Sequence, residues 1–231
     1  NTVTLADGSQ FTAKVIIGAG GHNDPLRKSH WDVDSLNIPV KFVLMEGVFS
    51  DALELHFGSV APGGYAWAFP KQGGANIGLG IQRRLAKGKS LNRYSEEFFS
   101  RYEGEVSFSG AGSLPMSGTI PRFVKENHLL VGDAAGMVLP SNGAGITIAM
   151  IGGRIAGQVV AEHLNAKTPL EEYEARWKIQ MGKVMRNSKL AFKLGTLMFR
   201  SPDWLLNLMF NRLTKPFIWR AVTCRSLFSL R

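Results

Sequence analysis

An aspartate in this chain of 231 residues lies between a short apolar run, Leu129–Val131, and a glycine-rich loop. The run predicts a buried strand that ends just before Asp133. Pro140 and Gly143 indicate the loop. The apolar pattern from Gly145 onwards predicts a helix. A helix N-terminus with uncovered N–H groups carries about half a positive charge and stabilises anions. The stretch therefore predicts a site for a flat or phosphorylated ligand. The alternative is a closely packed Gly/Ala helix without a ligand.

The sequence VGDAAG, followed by a proline and NGAGI, resembles the second flavin-contacting motif of FAD-dependent monooxygenases and reductases. Within this superfamily it is most similar to the geranylgeranyl reductase family. The resemblance implies that the Asp133 carboxylate binds the ribityl or ribose chain of FAD. It also implies that amides from Gly143 to Ile146 face the flavin O2/N1 edge and stabilise negative charge there. The predicted FAD-binding residues are Gly132, Asp133, Ala134, Pro140, Gly143, Ala144, Gly145 and Ile146.

Residues 62–70 read P-G-G-Y-A-W-A-F-P, so aromatic and small residues alternate. This alternation places three rings on one face of a strand, which suits an extended apolar ligand. The alternative is an ordinary half-buried aromatic strand. The segment resembles the P-x-x-Y-x-W-x-F-P motif of geranylgeranyl reductases, with every fixed position filled. The predicted substrate-binding residues are Tyr65, Trp67, Phe69, Pro62 and Pro70. The Tyr65 hydroxyl is a candidate proton source or orienting donor, but the sequence identifies no catalytic residue.

The resemblance implies an α/β fold of the p-hydroxybenzoate hydroxylase type, with an antiparallel substrate-domain sheet and a helical C-terminal tail. A FAD domain of this kind begins with a strand, G-x-G-x-x-G and a helix, and the start of this chain lacks that pattern. We therefore expect the chain to be the C-terminal part of a longer protein, without its Rossmann βαβ unit. This part alone is expected to be inactive.

The first residues predict a hairpin at Asp7-Gly8, whose second strand runs from Gln10 to Ile17 and ends in the glycines of Gly18–Gly21. Here Gly20 stands where the superfamily motif near the flavin pyrophosphate usually has aspartate. Arg27 follows closely and is expected to anchor a loop or to lie on the surface, with phosphate binding as the alternative.

The pattern along the chain predicts four segments. Residues 1–36 are expected to be a remnant of the FAD-binding domain, 37–110 an antiparallel β substrate-binding domain, 111–165 a returning FAD-binding segment, and 166–231 a helical C-terminal region. Gly110–Pro121 is predicted to be a loop. The last segment combines basic residues with aromatic side chains on apolar faces, which is typical of an interfacial helix or a lid over a lipid site. Packing on the core or on a partner subunit is the alternative.

The chain is basic, with a formal net charge of +9 and a pI near 9.8. This charge favours an anionic partner such as a membrane surface or a phosphorylated lipid or cofactor. No basic stripe or recognised fold supports nucleic-acid binding, so none is predicted. The single cysteine, Cys224, excludes an internal disulfide and a cysteine-cluster metal site. No apolar run reaches the roughly 18–20 residues of a spanning helix. We expect a cytoplasmic protein that is peripheral at the membrane surface.

The resemblance implies a flavin-dependent reductase that saturates isoprenoid C=C bonds of geranylgeranyl groups on lipid or diphosphate substrates, with hydride from reduced FAD. Its expected partners are a prenyl lipid and an electron donor such as NAD(P)H or ferredoxin. Two alternatives remain. One is another FAD-dependent oxidoreductase of the superfamily, such as a monooxygenase, halogenase or quinone-linked dehydrogenase. The other is a non-catalytic membrane-associated module.

Overall fold

The computed structural model describes residues 2–33, 35–210 and 214–225. The chain divides into two compact units: Asn1–Leu36 with Pro115–Leu190 and Ala221–Arg231 form the first, and Asn37–Leu114 with Ala191–Arg220 form the second. Residues from 166 onwards are thus shared between the units. The end of the predicted tail, including Leu227 and Phe228, lies outside the described residues.

The described strands are β1 (Thr2–Thr4), β2 (Gln10–Thr12), β3 (Ile16–Gly18), β4 (Asn37–Glu46), β5 (Glu54–His56), β6 (Tyr65–Lys71), β7 (Gly74–Gly80), β8 (Glu105–Pro115), β9 (Val124–Lys125) and β10 (His128–Leu130). The described helices are α1 (Pro25–His30), α2 (Leu91–Phe99), α3 (Ile146–Ala166), α4 (Glu172–Met198), α5 (Asp203–Met209) and α6 (Lys215–Val222). The predicted strand at 129–131 and the predicted helix after Gly145 are both confirmed within a residue or two.

The first unit contains a small sheet with the order β3-β10-β9, in which β3 is parallel and β9 antiparallel to β10. Leu129 and Leu130 of β10 are fully buried and belong to one apolar core with side chains of α3 and α4. Tyr173 of α4 donates a hydrogen bond to the backbone oxygen of Leu130 (3.2 Å). The core thereby fixes the end of β10, from which the predicted flavin-binding turn begins.

The predicted hairpin at the start of the chain is confirmed, but its second strand is shorter than predicted. β2 ends at Thr12, and β3 belongs to a different sheet. β1 and β2 pair antiparallel, with Thr4 opposite Gln10. In the turn, the Asp7 carboxylate accepts hydrogen bonds from the backbone N–H and the hydroxyl of Ser9 (2.9 and 2.6 Å). Gly8 has φ +85°, a conformation that side-chain-bearing residues avoid, so the Asp-Gly pair suits this turn.

The second unit is built on a sheet with the order β5-β6-β7-β4-β8. The pairs β5–β6, β6–β7 and β4–β7 are antiparallel, as predicted. α2 begins at Ser90, whose hydroxyl accepts from the Arg93 N–H (3.2 Å). Phe98 of α2 is fully buried in a core with the even-numbered residues Ala66 and Ala68 of β6. One face of the sheet is therefore covered, and the odd-numbered residues of β6 lie on the opposite face.

The predicted loop at Gly110–Pro121 is wrong in its first half, because Glu105–Pro115 forms the edge strand β8 beside β4. The glycines and serines of this segment favour a loop locally, but pairing with β4 overrides that preference. A side chain at Gly110 would meet the Phe42 ring at 2.6 Å, whereas one at Gly112 would lie 3.7 Å from Val40. Glycine at 110 is needed because the Phe42 ring lies where a Cβ would project.

Within the described residues, none of the helices has both the length and the hydropathy that crossing a bilayer requires.

Candidate functional site

Asp133 lies in the first unit, in a 3-10 turn of residues Gly132–Ala135 that follows β10 directly. Gly132 and Gly136 have φ of +60° and +68°, so the turn depends on glycine at both ends. The Asp133 carboxylate is half-buried and accepts no hydrogen bond from any described residue. Burial raises the pKa of Asp133 above its usual value, and the nearby His22 opposes this rise. A partly desolvated carboxylate without a donor is suited to bind ligand hydroxyl groups.

The N-terminus of α3 lies beside this carboxylate. A Cβ atom on Gly145 would be 3.4 Å from Asp133 Oδ1, so only a residue without a side chain leaves the space between them open. Gly145 is the N-cap of α3 and provides no side-chain cap to the first turn. Ile146, the first helical residue, is 83% exposed. The structure thus brings together Asp133 and the uncapped end of a 21-residue helix, as the sequence predicted.

The loop before α3 uses some of the predicted amides itself. The Gly143 N–H donates to the Leu139 oxygen (2.8 Å), and the Ala144 N–H donates to Asn142 Oδ1 (2.9 Å). Pro140 is buried beneath the loop. Of the predicted amides from Gly143 to Ile146, those of Gly145 and Ile146 therefore remain for a ligand within the described structure.

The segment before α1 shows how the chain accommodates glycine at position 20. Asp24 Oδ2 accepts a hydrogen bond from the Gly20 N–H (2.6 Å), and Oδ1 accepts from the Arg27 N–H (3.0 Å). A Cβ on Gly20 would lie 2.8 Å from Asp24 Oδ2, so the Asp24 carboxylate occupies the place of a side chain at position 20. The Arg27 guanidinium is buried and donates to the Val33 oxygen (3.4 Å). Arg27 therefore anchors a loop, which is one of the two expected roles, and the expectation that it lies on the surface is wrong.

The second unit carries the predicted aromatic row on one face of β6. The ring centroids of Tyr65 and Trp67 are 5.7 Å apart, and those of Trp67 and Phe69 are 6.2 Å apart with nearly parallel planes. All three side chains are half-buried. Burial raises the pKa of the Tyr65 hydroxyl, so this group stays protonated at neutral pH.

Two residues of β7 position Trp67, and the sequence interpretation missed both. Trp67 Nε1 donates a hydrogen bond to Asn76 Oδ1 (2.7 Å). Gly78 is directly opposite Trp67 in the sheet, and a Cβ there would come within 2.3 Å of the indole ring. The sequence of Gly74–Gly80 indicates that residues 76, 78 and 80 share one face of a strand. Their contact with Trp67 can be predicted only when the register of β6 against β7 is known.

The two predicted prolines lie at the two ends of the aromatic segment and make different contacts. The Pro62 oxygen accepts a hydrogen bond from the Gln82 N–H (2.9 Å), which ties the start of the motif to the end of β7. Pro70 lines a cavity of about 200 Å³ together with Ala68, on the face opposite the rings. Substrate contact by either proline stays a prediction.

A polar cluster that the sequence interpretation did not identify lies in the second unit. Glu54 Oε2 accepts hydrogen bonds from the Tyr102 hydroxyl (2.9 Å) and lies 3.1 Å from His56 Nε2. The hydrogen bond from Tyr102, followed by the one from His56, lowers the pKa of Glu54. The pKa of Tyr102 is raised mainly by burial and, to a smaller extent, by the hydrogen bond to Glu54. Glu54 and Ala68 pair across β5 and β6, so the cluster belongs to the covered face.

Comparison with known proteins identifies relatives of both units. The family model of the geranylgeranyl reductase catalytic domain matches residues 37–111. Digeranylgeranylglycerophospholipid reductase 2 of Methanothermobacter thermautotrophicus is 41% identical over 148 residues, which cover 60% of this chain and 37% of that protein. The digeranylgeranylglycerophospholipid reductase of Methanococcus vannielii is 32% identical over 220 residues, covering 89% of this chain and 52% of that protein. The predicted resemblance to the geranylgeranyl reductase family is confirmed.

The chain spans between 37% and 52% of the length of these two curated relatives. Among solved structures, a geranylgeranyl bacteriochlorophyll reductase-like protein of Thermoplasma acidophilum matches with a TM-score of 0.72 at 23% identity, covering 96% of this chain and 57% of that one. A flavin-dependent halogenase of Xanthomonas campestris matches with a TM-score of 0.62 at 15% identity, covering 83% of this chain and 39% of that one. These matches confirm the predicted α/β fold, which reductases and halogenases share.

The residues of the first unit fit a flavin nucleotide. Asp133 is a half-buried acceptor without a described donor, and the Gly145 position is a space that a Cβ would fill. The adjacent N–H groups of Gly145 and Ile146 add positive potential. In a flavin nucleotide, the polyhydroxylated chain would offer hydroxyl donors to the carboxylate, and the electron-accepting ring would offer negative charge to the N–H groups.

Proposed function

We propose that the protein containing this chain is a flavin-dependent reductase that saturates isoprenoid C=C bonds of geranylgeranyl groups on lipid or diphosphate substrates. The observation that carries the proposal is the row of three rings on β6, within the segment that matches the geranylgeranyl reductase catalytic domain. The two relatives described above are named for reduction of digeranylgeranyl lipids, which supports the same substrate class.

In this proposal the first unit binds FAD. The Asp133 carboxylate would accept hydrogen bonds from the ribityl or ribose hydroxyl groups, and the N–H groups of Gly145 and Ile146 would face the O2/N1 edge. When bound and reduced, FAD supplies the hydride. The helix end favours negative charge at that edge, because its partial positive charge is fixed in place before the reaction.

The second unit binds the isoprenoid chain on its aromatic face. Burying apolar carbon is worth about 0.8 kcal/mol per CH₂ group, so one five-carbon isoprene unit contributes roughly 4 kcal/mol. Asn76 holds the Trp67 ring, so that ring is ordered before a substrate arrives. The Tyr65 hydroxyl, whose pKa is raised by burial, acts as a donor that orients the substrate and not as a base. The identity of the electron donor, NAD(P)H, ferredoxin or similar, stays a prediction.

Helix α5 is the part of the second unit that we propose contacts the membrane. Its Leu206 is buried, while Trp204 and Leu208 are 68% and 64% exposed. Asp203 is the single acid from residue 200 to the end of the sequence, where six Arg and Lys residues occur. Its carboxylate accepts hydrogen bonds from the N–H and the hydroxyl of Ser59 (2.9 and 2.5 Å), so it is already satisfied within the unit. Exposed Trp and Leu beside basic residues suit an anionic bilayer surface.

The reaction is tested on the full-length protein purified in detergent. The flavin spectrum is recorded, the flavin is reduced, and a geranylgeranyl lipid is added without oxygen. Reoxidation with a mass gain in multiples of two hydrogens is the expected result, and Trp67→Leu should abolish it. Bound flavin that ignores the lipid but reoxidises with oxygen and a small aromatic substrate would place the protein among the monooxygenases. A protein without flavin would contradict the proposal.

Membrane contact is tested by flotation with vesicles of phosphatidylglycerol or phosphatidylcholine. Trp204→Ser should reduce binding to the anionic vesicles. Phe11→Ser is a matched control, since Phe11 is 59% exposed in the first-unit hairpin and should not affect binding. Equal flotation of the wild type and Trp204→Ser would contradict this assignment.

A further inference from the structure

The loop that precedes α3 is bonded to the C-terminal segment Val222–Cys224 of the first unit. Asn142 Nδ2 donates a hydrogen bond to the Val222 oxygen (2.8 Å). The same side chain accepts, through Oδ1, the hydrogen bond of the Ala144 N–H (2.9 Å). One side chain therefore shapes the loop and attaches it to a segment about 80 residues away in sequence.

A second set of contacts joins the same two segments. Ser141 Oγ lies 3.2 Å from Cys224 Sγ, and the Ser141 N–H donates to Ser188 Oγ of α4 (3.0 Å). Asn187 Nδ2, one residue earlier in α4, donates to the Cys224 oxygen (3.2 Å). Cys224 and Ser188 are buried, so these bonds are shielded from water. The loop is thus attached to α4 and to the C-terminal segment at adjacent residues.

The attachment determines which amides of the loop remain for a ligand. The Ala144 N–H donates to Asn142 Oδ1, and the Gly143 N–H donates to the Leu139 oxygen. Of the four predicted amides, those of Gly145 and Ile146 at the start of α3 therefore remain for a ligand in the part of the chain that the structure describes. Gly145 lies next to Asp133, because a Cβ on Gly145 would be 3.4 Å from Asp133 Oδ1. A shift of the loop would move both N–H groups relative to the carboxylate.

We propose that Asn142 is a positioning residue for the flavin, and that it acts by fixing the loop to the Val222–Cys224 segment. This inference rests on the proposed flavin binding and goes beyond it, because Asn142 itself bonds to backbone groups of the chain. The electrostatic benefit of a helix end falls off within the first turn, so it depends on where the Gly145 and Ile146 amides lie.

The test uses Asn142→Ser in the full-length protein. A serine hydroxyl can still accept from the N–H two residues on, but it is too short to reach the Val222 oxygen. We expect FAD to bind about tenfold more weakly, equivalent to about 1.4 kcal/mol. The affinity of the bound flavin for sulfite, which reports positive potential at the O2/N1 edge, should fall by a similar factor.

Two further variants complete the experiment. Asn187→Ala loosens the C-terminal segment without touching the loop, and it should weaken FAD and sulfite binding in the same direction, by a smaller factor. Asn165→Ser is a matched control, because Asn165 is exposed in the last turn of α3 and should change neither.

Three outcomes are distinguishable. Weaker FAD and sulfite binding in both Asn142→Ser and Asn187→Ala supports the inference. Lower thermal stability with unchanged FAD and sulfite binding means that the contacts are only structural, and it overturns the inference while leaving the proposed function intact. A wild-type protein that binds no flavin overturns the proposed function and the inference together.

Discussion

Replacement of Gly78 by alanine is a direct test of the aromatic face. A Cβ at this position would lie 2.3 Å from Trp67 Cζ2, 2.7 Å from Cε2 and 2.8 Å from Phe42 Cβ. Contacts this short cannot form, so the Trp67 ring must move. The movement would break the hydrogen bond of 2.7 Å between Trp67 Nε1 and Asn76 Oδ1.

The expected loss of stability follows from three terms. Overpacking a well-packed position costs about 1–3 kcal/mol. Loss of the Trp67–Asn76 hydrogen bond adds about 1 kcal/mol. The lower conformational entropy of alanine in the unfolded chain offsets about 0.5–1 kcal/mol. We therefore expect the free energy of unfolding to fall by about 1–3.5 kcal/mol. We also expect affinity for a prenyl lipid to fall, because the displaced ring disrupts the row.

Urea titration measures the stability change, and equilibrium binding of a geranylgeranyl lipid measures the change in affinity. Gly112→Ala is the matched control: this glycine is in strand β8 of the same sheet, and its Cβ would make an ordinary contact of 3.7 Å with Val40. The control should be as stable as the wild type, or slightly more stable. The reasoning is refuted if the two variants unfold within about 0.5 kcal/mol of each other and bind the lipid equally well, because the register of Trp67 over Gly78 would then be incorrect.

Two further predictions concern carboxylates. The raised pKa of Asp133 means that its ionised form is disfavoured in the folded protein, so Asp133→Asn should stabilise the flavin-free protein at pH 7 and make no difference well below pH 3.9. The same change should weaken FAD binding about 10- to 150-fold, as expected for losing a charge-assisted hydrogen bond of about 1.5–3 kcal/mol; tighter FAD binding would contradict the assignment. The lowered pKa of Glu54 contributes stability above about pH 4.3 that is lost as the pH falls through the folded-state pKa. Urea titrations from pH 7 to pH 3 should therefore show that the free energy of unfolding falls less for Glu54→Gln than for the wild type as the pH is lowered. An equal fall in the two proteins would show that the Tyr102 contact does not affect stability.

The turn at Asp133, where we propose that flavin binds, could be predicted from sequence because its determinants are local. The Asp133 turn, the Gly143 loop and the start of α3 are continuous in the chain, and each depends on residue types with strong backbone preferences. What the sequence interpretation missed here is the role of Asn142, since its second partner, Val222, is 80 residues away. No local pattern indicates such a pairing.

The aromatic face shows the opposite situation. Alternation along β6 predicts that the rings share a face, but the side chains that hold them come from β7 and depend on register. The same holds for β8, where glycines and serines favour a loop until pairing with β4 is considered. Non-local pairing therefore limits what the sequence predicts about the proposed substrate site, although the three rings themselves could be named from the sequence.

The two units bear differently on the choice between a reductase and a monooxygenase. The turn at Asp133 and the end of α3 would suit a flavin whatever the substrate, because both belong to the first unit and the aromatic face belongs to the second. Only the second unit separates the activities, because an extended row of rings along β6 suits a long hydrocarbon better than a small aromatic ring. Under the proposed function, Asn76 and Gly78 would support the substrate site, since without them Trp67 would lack both its hydrogen bond and the space it occupies. A variant that moves Trp67 and leaves Asp133 untouched should therefore reduce prenyl binding while flavin binding stays unchanged.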